Sequence, residues 1–257
     1  MTDELLFEVA DGIGRVTFNR PAQRNALTWA MYDGLVASVE RANQDASIRA
    51  LVLTGAGGRA FAAGTDIGQF RTFNAPADAI GYEQRIDGVL NTLEGCRVPT
   101  IAAIAGAWTG GGAAIACCCD LRVAAAGSRF GFPIAKTLGN CLSMANLARL
   151  SALIGAARVK EIIFTARLIE TDEALRIGLV SEVAANADAT LARADELART
   201  VADHAPLTLR ATKMQLRRLR GEVVEDEALI LMCYESADFR EGMDAFLAKR
   251  PPQWRGV

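Results

Sequence analysis

The first half of the chain mixes short apolar runs bounded by turn residues with stretches at helical spacing, and the second half is at helical spacing almost throughout. Runs of the first kind predict strands, and helical spacing predicts amphipathic helices. Leu5 to Val9 and Gly14 to Asn19 flank Ala10-Asp-Gly-Ile13, whose turn residues predict a hairpin. Arg20-Pro21 ends it, and Thr28 is placed to cap a helix reaching about Gln44. A strand follows over 50–54, and Asp66 is placed to cap a further helix. Asn74-Ala-Pro-Ala77 breaks the chain before a helix over 78–93. Pro99 leads into Ile101 to Ile104, an apolar run that reads as a strand covered on both faces, and Leu121 to Ala125 supplies another. From Ser143 onward helices are predicted over 143–153, 156–165, 171–177, 187–203, 206–220 and 224–248, with one short strand at 179–183. Strands joined by helical crossovers predict an α/β core over 1–195, followed by a helical segment over 196–257. Such a segment needs an apolar surface to cover, in its own core or on a neighbouring subunit.

Two glycine-led stretches change this picture from architecture to chemistry. Gly110, Gly111 and Gly112 remove every side chain where an apolar helix opens after the strand at 101–104. Helix-start amides have no intrahelical partner and carry partial positive charge, so they attract an oxygen that becomes an anion. Upstream, the strand at 50–54 leads through Gly55 to Gly58 into Phe61-Ala-Ala-Gly-Thr65, small after its first residue, ahead of Asp66. Either stretch alone reads as glycine allowing close packing. Together they offer one donor each to a single oxygen, the construction of an oxyanion hole for an ester or thioester carbonyl.

Composition narrows the class further. Half of the 257 residues are apolar, enough for one large core, and a net charge of −2 gives no footprint for nucleic acid or an acidic membrane. The start, Met1-Thr-Asp-Glu4, lacks the basic region of a signal peptide, and no apolar run is long enough to span a bilayer, so a cytoplasmic protein is expected. Cys117, Cys118 and Cys119 are consecutive and no CxxC pair occurs, which favours buried thiols in a reducing compartment over disulfides or zinc. His204 is the only histidine, beside Ala205-Pro206, and reads as a helix boundary rather than a catalytic base or ligand. No metal site, dinucleotide fingerprint or P-loop is expected.

Phe61-Ala-Ala-Gly-Thr-Asp-Ile67, Pro99-Thr-Ile-Ala-Ala-Ile-Ala-Gly106, Gly110-Gly-Gly112 and Cys119-Asp-Leu-Arg-Val123 resemble the enoyl-CoA hydratase/isomerase (crotonase) superfamily. Asn19-Arg-Pro-Ala-Gln-Arg-Asn-Ala-Leu27, Arg149-Leu-Ser-Ala-Leu-Ile-Gly155, Glu173-Ala-Leu-Arg-Ile-Gly-Leu-Val180 and Asp238-Phe-Arg-Glu-Gly-Met-Asp-Ala-Phe246 follow in the family's order. The resemblance implies a ββα spiral core, with 196–257 as a trimerisation segment in a homotrimer or dimer of trimers. It implies an acyl-CoA or enoyl-CoA substrate, with coenzyme A entering as part of the substrate and no permanently bound cofactor. By the same analogy Thr65 and Gly111 donate the two oxyanion amides. Arg24 meets phosphate, Ala62, Ala63 and Gly64 lie along the adenine and pantetheine, and Lys249 reaches a neighbour's CoA phosphates or is a solvated cation at a helix end.

The departure from the family lies where the reaction is decided. Its hydratases use two glutamates, and the matching positions here are Ala114 and Ile134, neither of which carries a proton. Water addition needs one group to activate water and one to deliver a proton to carbon. An isomerase, lyase or hydrolase working through a thioester enolate is therefore expected ahead of a two-glutamate hydratase, with a non-catalytic acyl-CoA binding subunit as the alternative. Some relatives place a catalytic aspartate in the region of Thr137-Leu-Gly-Asn-Cys-Leu-Ser-Met-Ala-Asn146. Ser143, Asn140 and Cys141 align nearest to it: Ser143 also reads as a helix cap, Cys141 as a structural thiol, and Asn140 as a group orienting water or a carbonyl. Tyr82, Glu83, Arg85 and Asp87 lie on the helix after Pro76, where relatives cover the acyl pocket, and Glu83 and Asp87 share a face, either as a paired acid site or as a solvated one. Trp108 reads equally as acyl-pocket wall or as core.

Overall fold

The computed structural model describes residues 3–72, 76–221, 236–248 and 250–257. The hairpin forms as its turn predicts, with β1 (Leu5–Ala10) antiparallel to β2 (Ile13–Phe18). Thr28 caps α1 (Trp29–Gln44), its hydroxyl accepting from the Met31 N–H at 3.3 Å. β3 (Ala50–Gly55), α2 (Pro76–Glu94), β5 (Thr100–Ile104), α3 (Gly111–Cys118) and β7 (Leu121–Ala125) follow close to their predicted bounds.

Three short strands escape the pattern: β4 (Ala60–Ala62), β6 (Ala107–Thr109) and β8 (Arg129–Gly131). Each follows a longer strand after a tight connection, and three residues are too few to show a period of two. They build a second sheet in the order β4-β6-β8-β9, where β9 is Ile169–Glu170. The longer strands, joined by the three-residue β10 (Glu182–Ala184), build the first, in the order β1-β2-β3-β5-β7-β10, parallel from β2 onward. The turns β3-β4-α2, β5-β6-α3 and β7-β8-α4 (α4 being Ile134–Thr137) each place one strand in each sheet and then a helix, while β1 and β2 both lie in the first sheet, so the α/β core is a ββα spiral.

Period-two alternation explains why both faces of the first sheet are apolar. Leu51, Leu53, Ala102 and Ile104 point into the main core, while Ala50, Val52, Ile101 and Ala103 form a second cluster with Ala194 and Ala198. Those alanines belong to α8 (Ala187–Ala202), which runs unbroken across residue 195 and covers the outer face of the sheet.

Two expectations are corrected. The segment after Asp66 is a 3-10 helix, Ile67–Thr72, with Asp66 Oδ1 accepting from the Gly68 N–H at 3.0 Å. Asp66 therefore caps as expected, but what it caps is a tighter, shorter turn. The strand expected at 179–183 lies later, as β10 (Glu182–Ala184), since Leu179 and Val180 are buried in the main core. Helices α4 (Ile134–Thr137), α5 (Met144–Ile154), α6 (Ala156–Thr165), α7 (Thr171–Arg176) and α9 (Pro206–Arg218) complete the described body. Of the helix expected over 224–248, Ala237–Leu247 forms α10 and residues 222–235 lie outside the described residues, as do Asn74 and Ala75 of the break expected over 74–77, whose Pro76 and Ala77 begin α2.

Candidate active site

The first glycine-led loop leaves β4 at Ala63, Gly64 and Thr65 and is clamped by the segment after the hairpin. Ala63 N–H donates to Arg24 O at 3.1 Å, Leu27 N–H to Gly64 O at 2.8 Å, and Asp66 N–H to Leu27 O at 2.9 Å. Asn25 shapes that segment. It is fully buried at φ 54°, and its Nδ2 donates to Ala56 O at 3.0 Å and Ala60 O at 2.7 Å. Asparagine tolerates this left-handed conformation better than most residues. The stretch from Asn19 to Leu27 therefore acts here as a brace for the loop. Arg24 itself is exposed.

The second loop opens α3. Gly110 sits at φ 52° and ψ −122°, a region glycine enters freely, and its N–H donates to Gly131 O at 3.1 Å. Gly112 packs so closely on Ala62 that a Cβ there would collide with the Ala62 carbonyl. A Cβ on Gly110 would lie 3.5 Å from Gly64 Cα, and one on Gly111 3.2 Å from Thr65 Oγ1, so the two loops are neighbours. Among the described residues, no protein acceptor takes the Thr65 or Gly111 N–H.

Both loops wall one cleft of about 230 Å³. Ala114 and Ile134 line it with apolar surface, together with Ile86, Phe132 and Leu142. α2 contributes Tyr82 and Glu83. Glu83 is half-buried, and burial raises its pKa above the ordinary carboxylate value, with the Asp87 charge adding to the rise. Among the described residues Glu83 is the carboxylate that lines the cleft.

Of the residues singled out in sequence, Ala63, Gly64, Thr65, Gly111, Glu83, Asn140 and Cys141 line this cleft, the last two from the exposed stretch between α4 and α5. Ser143 does not. It caps α5, accepting from the Asn146 N–H at 3.2 Å, and donates to Asp87 Oδ1 at 2.8 Å. Asp87 also accepts from Asn146 Nδ2 at 3.4 Å and stands 4.0 Å from Arg149, so it braces α2 against α5 while Glu83 faces the cleft. Arg85 pairs with Asp33 at 2.7 Å and lies over the Trp29 ring. Ala62 is buried in β4, and Lys249 lies outside the described residues. Trp108 is core: it is 1% exposed, packs on Phe130 at 4.6 Å and does not line the cleft. His204 is exposed at the end of α8.

Sequence reasoning missed Tyr32. It reads as one more apolar position of an amphipathic helix, yet its buried hydroxyl lies 2.8 Å from Thr65 Oγ1, which is 2.9 Å from the Tyr82 hydroxyl. A tyrosine on a buried face needs a polar partner, and that is the only signal the sequence carried.

A larger cavity of about 480 Å³ lies along Cys117 to Arg122 and α9. Its polar walls are already paired, Lys213 with Asp120 at 2.6 Å and Arg149 with Glu94 at 3.1 Å, and neither glycine-led loop reaches it. No group of three or more His, Cys, Asp or Glu side chains suited to a metal occurs among the described residues, and no described helix is long and apolar enough to cross a membrane.

The enoyl-CoA hydratase/isomerase family profile matches residues 8–257. The short-chain-enoyl-CoA hydratase of Clostridium acetobutylicum is 34% identical, with 96% of each chain covered. The 2,3-dehydroadipyl-CoA hydratase of Escherichia coli is 33% identical over 98% of this chain and 99% of its own. Among solved structures, an enoyl-CoA hydratase/carnithine racemase from Magnetospirillum magneticum superimposes with a TM-score of 0.91 at 36% identity, covering 100% of this chain and 97% of that one.

Proposed function

The chain belongs to the enoyl-CoA hydratase/isomerase family, and from that premise we propose that it is an enzyme acting on a CoA thioester through an enolate, with Glu83 as its proton-transfer group. One observation supports the reading: Glu83 lines the same cleft as the Thr65 and Gly111 amides, which meet no acceptor among the described residues, while Ala114 and Ile134 line it with apolar side chains. The thioester carbonyl oxygen sits against the Thr65 and Gly111 N–H groups. Glu83 takes a proton from an acyl carbon conjugated with that carbonyl, so the C–H bond breaks and a carboxyl O–H forms. The electron pair moves onto the thioester oxygen, where the two amides stabilise it. The same proton then returns to another carbon of the conjugated system, and the carboxylate is regenerated. A raised carboxyl pKa narrows the gap between this base and a weakly acidic carbon.

One carboxylate suffices for this double-bond isomerisation, which consumes no water and releases no group. Several relatives are named as hydratases, and hydration here would have to run without the paired glutamates. The second reading, an acyl-CoA binding subunit without turnover, is favoured by the apolar residues at Ala114 and Ile134. Exposed Leu216 and Leu219 support the further proposal that the C-terminal helices pack against other subunits of a trimer.

The test is a panel of enoyl- and acyl-CoA thioesters read by mass spectrometry and chromatography, with wild type and Glu83→Gln side by side. An isobaric product from wild type, lost in the variant, is expected, with wild-type turnover rising with pH as Glu83 ionises above the ordinary carboxylate range. A product gaining water that persists in the variant refutes the role of Glu83, and tight binding with no product supports the non-catalytic reading.

A further inference from the structure

Thr65 and Gly111 arrive on separate loops, so the spacing of their amides depends on what joins those loops. Tyr32 stands at the joint. It projects from α1, is 1% exposed, and its hydroxyl lies 2.8 Å from Thr65 Oγ1. The same hydroxyl fills the space beside Gly111, where a Cβ would collide with it. Thr65 Oγ1 in turn meets the Tyr82 hydroxyl at 2.9 Å, and α2 carries Tyr82 next to Glu83. Trp29 holds both phenols, its ring centroid 5.9 Å from that of Tyr32 and 5.8 Å from that of Tyr82.

We infer that Tyr32 is a positioning residue for the thioester-oxygen site: its hydroxyl sets the Thr65 loop against Gly111 and, through Thr65 and Tyr82, holds Glu83 over the cleft. The inference rests on the enolate reading above. A phenylalanine would fill the same volume with the same ring, so the hydroxyl is what distinguishes a strut from core filler. Burial, the largest influence on the Tyr32 pKa, keeps this phenol protonated, so it acts through hydrogen bonds and takes no proton from the substrate. The three hydroxyls act as a unit, because both phenols meet the one Thr65 oxygen and polarise each other through it.

Infrared difference spectroscopy of butyryl-CoA carrying a 13C carbonyl separates the two levels without needing turnover. Bound to wild type, the thioester carbonyl stretch is expected at lower frequency than in solution, because the two amides polarise it. Tyr32→Phe and Thr65→Val are expected to lose most of that shift, Thr65→Ser to keep it, and the double variant Tyr32→Phe/Thr65→Val to match Thr65→Val alone. Rescue by Thr65→Ser distinguishes the hydroxyl's role from general packing. A full shift in Tyr32→Phe overturns the inference and leaves the enolate reading standing. No shift in wild type overturns both. Additive losses in the double variant would show independent side chains, which also overturns the inference.

Discussion

Replacing Gly111 with alanine separates the catalytic use of the second loop from its structural use. Gly111 is the first residue of α3, and its φ is not in the left-handed region, so alanine adopts its backbone without strain. The effect must come from the added methyl, which collides with the Tyr32 hydroxyl and comes within 3.2 Å of Thr65 Oγ1. The Tyr32 hydroxyl is the end of its side chain but is buried and hydrogen-bonded to Thr65 Oγ1, so the Gly111 backbone moves and carries its amide off the position of the oxyanion. Overpacking of this kind costs about 1–3 kcal/mol, offset by up to about 1 kcal/mol from the better helix propensity of alanine. The net cost of about 0–3 kcal/mol should then lower the melting temperature by no more than about 12 °C, at roughly 2–4 °C per kcal/mol for a chain of this size. Loss of one oxyanion donor costs about 3 kcal/mol in the transition state, roughly 100- to 1000-fold in kcat. Ground-state binding engages the same carbonyl weakly, so KM should change far less than kcat. Steady-state kinetics on whichever thioester turns over, with calorimetric unfolding, reads both quantities. A variant that melts lower yet keeps its kcat would refute the placing of the oxyanion at this amide. A parallel collapse of affinity and kcat would mean the methyl blocks the cleft instead.

Ser143→Ala should behave as the loss of a helix cap, costing about 1 kcal/mol and leaving kcat unchanged, because Ser143 serves α5 and Asp87 rather than the cleft. A kcat collapse without a fall in melting temperature would return Ser143 to the catalytic candidates. Iodoacetamide on the native protein at mildly alkaline pH should alkylate exposed Cys141 and spare Cys117 and Cys119, whose burial pushes both thiols up to about 12. Peptide mass spectrometry reads this directly. A saturating acyl-CoA should protect Cys141, since it lines the cleft, and equal labelling with and without ligand would place the acyl chain elsewhere.

Much of the candidate site was legible in the chain. Glycines and small residues after two apolar strands marked both loops, because backbone amides become approachable only where side chains are missing. The Thr28 cap, the buried strand at Ile101 to Ile104 and the glycine-led helix at Gly111 were likewise readable, each being set by residues within a turn of one another. The absence of acid groups at Ala114 and Ile134 was visible from identity alone, and both positions do line the cleft.

Pairings between distant segments were decided only in three dimensions. β4, β6 and β8 are too short to carry a period, and they exist because each lies beside the next in the second sheet. Glu83 and Asp87 share a helix face in sequence, yet Ser143, Asn146 and Arg149 gather around Asp87 and leave Glu83 to the cleft. Trp108 could be assigned to the core only when Phe130 was found against it, 22 residues further on. Tyr32 looked like one more apolar residue of α1 until the fold brought Thr65 to its hydroxyl. The sequence by itself determined local geometry, which loops expose their amides and which side chains carry no proton, because these depend on covalent structure and near neighbours. The tertiary structure decided which carboxylate is desolvated and which hydroxyls meet, because burial and hydrogen bonding depend on segments that the chain keeps far apart.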